Sequence, residues 1–416
     1  MTTAPSSAST SASSERHIAT IEEKSARNYA PLPVVVSKGE GCWVTDVEGK
    51  RYLDMLSAYS ALNFGHCHPE ITAAFVEQAQ RLTLTSRAYH NDKFAAFCER
   101  VTDLCGMDMV LPMNTGAEGV ETALKTARKW GYQVKGVPAG QAEIICCRHN
   151  FHGRTITVVS FSPEVEHHAF FGPVTPGFKI VEYGDADALE EMITPHTVAF
   201  LVEPIQGEGG INVPPHGYLE ACREICTKHN VLMIADEIQT GLGRTGRVFA
   251  CDHEAVHPDL YILGKALGGG TMPVSAVVGK ENVMGVFRPG DHGSTFGGNP
   301  LACAVADKAL EILVRDKLAE RATELGEPFM ERRLGVDSPI VKGVRGKGLL
   351  IGVELVAEAG GAKRFCKALA KDGMLCKETS DNVIRIAPPL VIEQSDLDFA
   401  FERLEKVLTD PSMMQA

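Results

Sequence analysis

Long apolar runs are missing from this chain of 416 residues. No stretch approaches the ~20 consecutive apolar residues that a membrane-spanning helix needs, so we expect no association with a membrane. Positive charge is also scarce, because 53 acidic residues outnumber 41 lysines and arginines and give a formal net charge of -12. A general nucleic-acid binder needs a clustered positive face, so that class of protein is not expected either.

The first 14 residues contain only Met, Thr, Ala, Pro and Ser, and Arg16 is the first basic residue. This stretch has neither the apolar core of a secretory signal nor the arginines of a mitochondrial presequence. We therefore expect 1–15 to be a disordered tail and the protein to be cytoplasmic. The 12 cysteines are scattered along the chain, which favours reduced thiols over a disulfide framework, and we expect no metal site.

What the sequence does contain is an alternation of short apolar strands with helices. The predicted strands are Glu143 to Cys147, Ala199 to Glu203, Val231 to Asp236, Leu260 to Leu263 and Val274 to Val278. A predicted helix over Gly217 to Lys228 separates the second of these strands from the third. The alternation predicts an α/β fold with a mainly parallel sheet flanked by helices.

Four parts follow one another along the chain. The tail, 1–15, precedes an N-terminal segment, 16–57, in which Gly41 to Leu56 alternates like a β-hairpin that turns at Glu48-Gly49. A large α/β domain then covers 58–316. A helix, a turn at Val344 to Gly348, a strand through Glu354 and a further helix predict a smaller α+β domain over 317–416.

Three features of the sequence together indicate a catalytic site. Thr115-Gly116-Ala117-Glu118 is a capping box, and its glycine lets a phosphate approach the N–H groups that begin a helix; alone, this is weak evidence. Asp236 ends one apolar strand and Lys265 follows another, although a lysine at a strand end can simply reach solvent. A phosphate cradle, a carboxylate and an amine are what pyridoxal 5′-phosphate (PLP) requires.

At these residues the chain resembles the class-III (subgroup II) PLP-dependent aminotransferases, from about Arg27 to the C-terminus. The matching stretches are Gly65-His66-Cys67-His68-Pro69, Glu203-Pro204-Ile205-Gln206-Gly207-Glu208, Asp236-Glu237-Ile238-Gln239-Thr240-Gly241, Gly264-Lys265-Ala266, Gly293-Ser294-Thr295-Phe296-Gly297-Gly298-Asn299-Pro300 and Ile384-Arg385. Within the class, Leu82 to Ala88 and Arg128 to Gly136 resemble the ornithine δ-aminotransferases. The resemblance implies PLP-transferase fold type I. It also implies ping-pong transfer of the δ-amino group of ornithine to 2-oxoglutarate.

The resemblance further implies how the cofactor is held. Lys265 would bind it covalently and carry the proton that the reaction moves, and Asp236 would pair with its ring nitrogen. Gln239 would contact the ring hydroxyl, and Phe151 would stack on the ring. The phosphate would be held by Gly116, Ala117, Ser294 and Thr295. Because Thr295 would come from the neighbouring subunit, a homodimer with shared active sites is implied.

Substrate-binding residues are implied in the same way. Arg154 would grip the distal carboxylate of ornithine, and Tyr29 and Tyr59 would line the outer pocket. Arg385 would bind the second carboxylate of 2-oxoglutarate, and Glu208 would pair with Arg385 until the oxo acid arrives. Two alternatives stay open: Arg154 is a surface arginine, or Glu208 and Arg385 form a static structural pair.

One residue departs from the family pattern. His152 lies where ornithine aminotransferases often carry Trp, and His is familiar there among N-acetylornithine aminotransferases. N-acetylornithine therefore remains an alternative substrate, although Tyr29, Tyr59 and the segment Trp130-Gly131-Tyr132 favour ornithine. A 4-aminobutyrate aminotransferase is a further alternative. A catalytically silent scaffold with this fold is the alternative outside the enzymes.

Overall fold

The computed structural model describes residues 11–162, 164, 168–334 and 338–414. In chain order, its strands are β1 (Val36–Glu40), β2 (Trp43–Asp46), β3 (Arg51–Asp54), β4 (Met109–Met113), β5 (Glu143–Cys147), β6 (Phe178–Val181), β7 (Thr197–Val202), β8 (Leu232–Asp236), β9 (Leu260–Leu263), β10 (Ser275–Gly279), β11 (Val341–Lys347), β12 (Leu350–Leu355), β13 (Met374–Leu375), β14 (Lys377–Thr379) and β15 (Val383–Ile386).

Seven strands form the central sheet, in the order β4-β10-β9-β8-β7-β5-β6. Strand β10 runs antiparallel to both of its neighbours, and the other neighbouring pairs run parallel. Every residue of β7, β8 and β9 is buried, which is typical of a parallel sheet covered on both faces. The predicted α/β fold with a mainly parallel sheet is confirmed.

Helices pack against both faces of this sheet. Successive residues of β5 alternate between two separate apolar clusters, with Ile144 and Cys146 in one and Ile145 and Cys147 in the other. The α-helices of at least seven residues are Ser11–Lys24, Pro69–Arg81, Phe94–Cys105, Gly116–Trp130, Ala186–Met192, Tyr218–Lys228, Pro300–Arg315, Leu318–Leu334, Lys363–Lys371 and Gln394–Leu408. Within the described ranges, none of the helices has both the length and the apolar character that crossing a bilayer requires.

Shorter helical turns complete the connections. They are the α-helical Ile156–Val159 and Glu281–Met284, the π-helical Gly131–Lys135, and the 3-10 turns Ala250–Glu254, Lys265–Gly268, Ala357–Ala359 and Pro411–Met413. The first helix, Ser11–Lys24, overlaps the end of the predicted tail, and 1–10 lie outside the described residues. All 12 cysteines fall within the described residues, and none of them is bridged.

Two four-stranded sheets lie beside the central one, in the orders β1-β2-β3-β13 and β11-β12-β15-β14. The predicted hairpin is the antiparallel pair β2 and β3. One prediction is wrong: Val344 to Lys347 belong to strand β11, where they pair with β12, and the turn begins only at Gly348. The two glycines of that segment suggested a longer turn, but antiparallel pairing accommodates Gly346 within the ladder.

A left-handed turn follows β3. Its four residues, Ser57 to Ser60, have φ values of 52°, 47°, 61° and 69°, and none of them is glycine. For residues with a Cβ, this conformation costs roughly 1–2 kcal/mol each, so the surrounding structure must hold the turn in place. Ser57 and Ser60 are buried, and Tyr59 is half-buried.

Candidate active site

The carboxyl ends of the parallel strands gather chemically active side chains at one edge of the central sheet. Asp236 ends β8, Lys265 comes two residues after β9, and Glu203 directly follows β7. Open α/β sheets bind their ligands at this edge. A cavity of about 170 Å³ lies there, and it is lined by Gly116, Ala117, Phe151, His152, Gly153, Glu203, Asp236, Ile238, Gln239 and Lys265.

Lys265 begins the turn after β9 with a φ of 44°, a left-handed conformation that costs roughly 1–3 kcal/mol for a non-glycine residue. Strand β9 is buried throughout, so the lysine emerges directly from the core. Burial lowers the pKa of Lys265, although the carboxylates of Glu208 and Asp236 oppose that change. A lower pKa makes the neutral, nucleophilic amine more accessible near neutral pH.

Asp236 is buried and has two partners. Its Oδ1 accepts a hydrogen bond from the Ile238 N–H at 3.1 Å, and its Oδ2 lies 2.6 Å from Nδ1 of His152. Burial acts to lower the pKa of His152, but the bond to Asp236 and its negative charge outweigh burial and raise the pKa. The imidazole on one side and the Ile238 N–H on the other therefore hold the Asp236 side chain in place.

Sequence reasoning missed this role of His152, because there the residue served only to distinguish related enzymes. Its Nε2 atom is buried and has no hydrogen-bond partner among the described residues. The signal that could have found it is position, since His152 occupies the loop after β5, beside Phe151 at the edge of the sheet where Asp236 ends its strand.

Glu203 is a second residue whose role the sequence did not reveal. Its Oε1 accepts the N–H of Phe151 at 2.9 Å, and its Oε2 accepts the N–H of Gly207 at 3.1 Å. One buried carboxyl thus joins the loop of Phe151 to the loop that carries Glu208. Burial raises the pKa of Glu203 to about 7.

Helix Gly116–Trp130 begins at the wall of the cavity with the predicted capping box. Thr115 Oγ1 accepts the N–H of Glu118 at 3.3 Å, and Glu118 Oε2 accepts the N–H of Thr115 at 2.7 Å. The N–H groups at the start of a helix have no partner within it and attract anions. A Cβ on Gly116 would lie 3.1 Å from Cδ1 of Ile238, so glycine keeps this entrance open.

Ser294 and Thr295 lie in different surroundings. Ser294 Oγ accepts a hydrogen bond from Asn114 Nδ2 at 2.8 Å, which places Ser294 near the start of the same helix. Thr295 is exposed and is absent from the described residues that line the cavity of its own chain. A single chain therefore does not bring Thr295 to the predicted phosphate cradle.

Glu208 and Arg385 form a bidentate ion pair beside the cavity. Arg385 Nη1 and Nη2 donate to Glu208 Oε1 and Oε2 at 2.6 and 2.7 Å. Gln239 joins both partners: its Nε2 donates to Glu208 Oε1 at 3.2 Å, and its Oε1 accepts from Arg385 Nη1 at 3.3 Å. Burial acts to raise the pKa of Glu208, but the Arg385 guanidinium outweighs burial and lowers it.

Two further cavities are lined by the remaining predicted residues, which are Arg154, Tyr29 and Tyr59. The guanidinium of Arg154 lies 5.5 Å from the ring centre of Phe151, and Arg154 and Tyr29 line a cavity of about 300 Å³. Tyr29 and Tyr59 both line a larger, mostly apolar cavity of about 500 Å³. The structure thus brings every predicted residue except Thr295 to the cavities, to the ion pair beside them, or to the helix start.

The chain is similar to known proteins over most of its length. The family model described as aminotransferase class-III matches residues 24–408. An ornithine aminotransferase of Geobacillus sp. (strain WCH70) is 58% identical over 386 residues, which cover 93% of this chain and 96% of that protein.

Two solved structures are also similar. The ornithine aminotransferase of Toxoplasma gondii, with PLP at partial occupancy in its active site, has a TM-score of 0.93 and 49% identity, covering 95% of this chain and 94% of that one. The acetylornithine aminotransferase of Elizabethkingia anophelis has a TM-score of 0.86 and 49% identity, covering 95% and 98%.

Proposed function

This chain belongs to the class-III aminotransferases, and from that premise we propose that it transfers the δ-amino group of L-ornithine to 2-oxoglutarate. Ornithine becomes glutamate 5-semialdehyde, which cyclises to pyrroline-5-carboxylate, and 2-oxoglutarate becomes glutamate. The two substrates occupy one site in turn. Because the charged groups of the two substrates are arranged differently, the site must be able to bind both arrangements.

The cofactor of this family, PLP, fits the cavity at the sheet edge. An amine, a carboxylate and a helix start lie around one space, and the small Gly116 leaves the helix N–H groups open to a phosphate. Lys265, Asp236, Gln239, Phe151, Gly116 and Ala117 would hold the cofactor. When bound, PLP supplies an electron-withdrawing ring that stabilises the charge left when a proton is removed from the carbon bearing the amine.

Two side chains carry the proton chemistry in this proposal. Lys265, whose pKa is lowered chiefly by burial, removes the proton at the amine-bearing carbon and returns it at the adjacent position. Asp236, whose Oδ2 lies 2.6 Å from Nδ1 of His152, would hold a proton on the ring nitrogen of the cofactor. Each group is within reach of the same cavity.

The ion pair of Glu208 and Arg385 is the observation that carries the choice of substrate. Ornithine must present its δ-amine while its α-carboxylate stays at the far end of the site. An open arginine beside the cofactor would attract that carboxylate, and Glu208 neutralises Arg385 with two hydrogen bonds. Release of Glu208 then frees Arg385 for the second carboxylate of 2-oxoglutarate.

Arg154 takes the distal carboxylate in this proposal. It lies beside Phe151 and, together with Tyr29, lines the cavity of about 300 Å³. Tyr29 is 79% exposed and can therefore meet a substrate that enters from solvent. We assign the α-amino group of ornithine to Tyr29 and the wall of the outer pocket to Tyr59.

We also propose that the protein works as a homodimer in the cytoplasm. The exposed Thr295 would complete the phosphate cradle of the neighbouring subunit, with Ser294 supporting its loop. Cys67 is exposed and the other 11 thiols are at least partly buried, and all 12 are unbridged, which suits a reducing compartment.

A substrate panel tests the proposed function. The purified enzyme is mixed with L-ornithine, N-acetylornithine or 4-aminobutyrate, and loss of cofactor absorbance gives kcat/KM for each amine donor. We expect ornithine to be the best donor. N-acetylornithine is the second candidate, because the Elizabethkingia enzyme is 49% identical. A higher kcat/KM for N-acetylornithine than for ornithine would replace the proposal with that activity.

A further inference from the structure

The left-handed turn Ser57 to Ser60 presents an aromatic ring to the buried arginine of the site. The guanidinium carbon of Arg385 lies 5.1 Å from the centre of the Tyr59 ring. A cation at that distance from an aromatic face is attracted by the electrons of the ring. The position of the ring depends on the backbone of the turn, because Tyr59 itself has a φ of 61°.

Hydrogen bonds fix this turn at its beginning. Asp54 Oδ1 accepts the N–H groups of Leu56 and Ser57, both at 2.9 Å. Asp54 Oδ2 lies 2.8 Å from Nε2 of His66, which keeps the carboxylate in one orientation. The aspartate therefore holds the two residues that lead into the left-handed conformation.

The same turn is tied to the strand that carries Arg385. Ser57 Oγ donates to the carbonyl oxygen of Ala387 at 2.7 Å, and the N–H of Ala387 donates to the carbonyl oxygen of Met55 at 2.7 Å. Ala387 directly follows β15, which contains Arg385. These bonds set the position of the Tyr59 ring relative to the guanidinium.

The ring contact gains importance when Glu208 leaves. With Glu208 in place, two short hydrogen bonds orient the guanidinium of Arg385. Without it, the hydrogen bond to Gln239 Oε1 at 3.3 Å and the Tyr59 ring are what remain, because Arg385 Nε has no partner among the described residues. In the proposed function, 2-oxoglutarate binds Arg385 only after Glu208 has left it.

We propose that Ser57, supported by Asp54, is a positioning residue for the oxo-acid half-reaction: its hydroxyl holds the left-handed turn so that the Tyr59 ring keeps Arg385 oriented once Glu208 has left. The inference rests on the proposed function, since it requires a dicarboxylic oxo acid at Arg385. Ornithine reacts while Glu208 orients Arg385, so the amine half-reaction depends much less on Ser57.

The turn contains its own matched control. Ser57→Ala removes the hydroxyl that donates to Ala387. Ser60→Ala removes a buried hydroxyl that has no hydrogen-bond partner among the described residues, from the same turn. Both variants, with wild type, are purified with cofactor. Each half-reaction is followed by cofactor absorbance, with ornithine or 2-oxoglutarate as the probe, and thermal unfolding is recorded.

We expect Ser57→Ala to raise the KM for 2-oxoglutarate about fivefold to tenfold, the size expected for one hydrogen bond between uncharged groups. The KM for ornithine should change much less, and Ser60→Ala should resemble wild type in both half-reactions. Asp54→Asn retains an oxygen that can accept the N–H groups of Leu56 and Ser57, so it should preserve the KM for 2-oxoglutarate better than Asp54→Ala.

Equal weakening of both half-reactions in Ser57→Ala, or equal effects of Ser57→Ala and Ser60→Ala, would overturn the proposal and leave Ser57 with a structural role. Failure of the proposed function is recognised separately, in the wild-type measurement. A wild-type enzyme that does not take amino groups from ornithine refutes that function before the variants are compared.

Discussion

The guanidinium of Arg385 is fully buried, and both of its terminal nitrogens donate to the carboxylate of Glu208. Glu208 is 28% exposed, so one partner of the pair can reach solvent while the other cannot. A buried charge is costly unless it is paired. The pair therefore neutralises the buried cation, which in the proposed mechanism the site needs in only one of its two half-reactions.

Lys265→Ala should abolish transamination. Loss of the amine removes both the covalent attachment of the cofactor and the group that moves the proton, a loss on the order of 10²–10⁴-fold or more. The variant should retain cofactor poorly after dialysis. Kinetics of the ornithine half-reaction test this, and turnover comparable to wild type would remove Lys265 from the mechanism.

Asp236→Asn should bind cofactor but react slowly. A neutral amide cannot hold a proton on the ring nitrogen as a carboxylate does, and the lost electrostatic stabilisation is worth roughly 10²–10³-fold. Single-turnover mixing with ornithine measures the rate of proton removal. An unchanged rate would show that a different group acts on the ring nitrogen.

The pH dependence of stability should change in Glu203→Gln. Burial raises the pKa of Glu203 to about 7, whereas an unfolded Glu titrates near ~4.3. The folded protein then binds more protons than the unfolded chain between these values, so stability is greatest below the lower value and falls as pH rises through the upper one.

The glutamine of the Glu203→Gln variant cannot titrate. Between these two pKa values, the free energy of unfolding of the variant should therefore fall less with rising pH than that of wild type, by on the order of 1–3 kcal/mol. The readout is the slope and not the absolute stability, because the new amide NH₂ also faces an N–H group. Urea unfolding at pH 5, 6, 7 and 8 gives the slope, part of which Glu237 retains because burial raises its pKa to about 7 as well. Identical slopes in variant and wild type would contradict the assignment of a raised pKa to Glu203.

Strand ends were the part of the site that the sequence predicted well. Asp236 and Lys265 stand at the ends of apolar runs, and the capping box at Thr115 is a local pattern, so all three could be located without a structure. The strand bounds shifted by at most two residues, as for the predicted Ala199 to Glu203, which is Thr197–Val202 in the structure.

Contacts between distant parts of the chain could not be predicted in the same way. His152 and Asp236 are separated by 84 positions, and Ser57 and Ala387 by 330 positions. No local periodicity reports such a pair. The left-handed turn was missed for a different reason: none of its residues is glycine, so the usual sequence signal for positive φ is absent.

Cofactor binding should depend on dimer formation through Thr295. If Thr295 completes the phosphate cradle of the neighbouring subunit, dilution should release cofactor as the dimer dissociates, because binding and assembly are linked. Analytical ultracentrifugation and cofactor absorbance across one dilution series measure both. Monomers that hold PLP as tightly as dimers would refute the shared cradle.

The central claim is that Glu208 masks Arg385 during the amine half-reaction, and Glu208→Ala tests it most directly. The variant leaves Arg385 exposed to any α-carboxylate near the cofactor, so glutamate should become a better amino donor and ornithine should lose part of its δ-selectivity. Leaving one partner of a buried charge pair unpaired costs roughly 2–5 kcal/mol, and ~1.4 kcal/mol corresponds to a factor of ten.

The measurement is kcat/KM for glutamate relative to ornithine in separate half-reactions. Glu378→Ala serves as the control, because it removes a nearby acid that pairs with Lys377 and leaves Arg385 untouched. The gating account predicts a shift on the order of tens-fold or more towards glutamate in Glu208→Ala, and none in the control. A ratio that stays within about twofold of wild type in Glu208→Ala would contradict it and make the pair a static structural one.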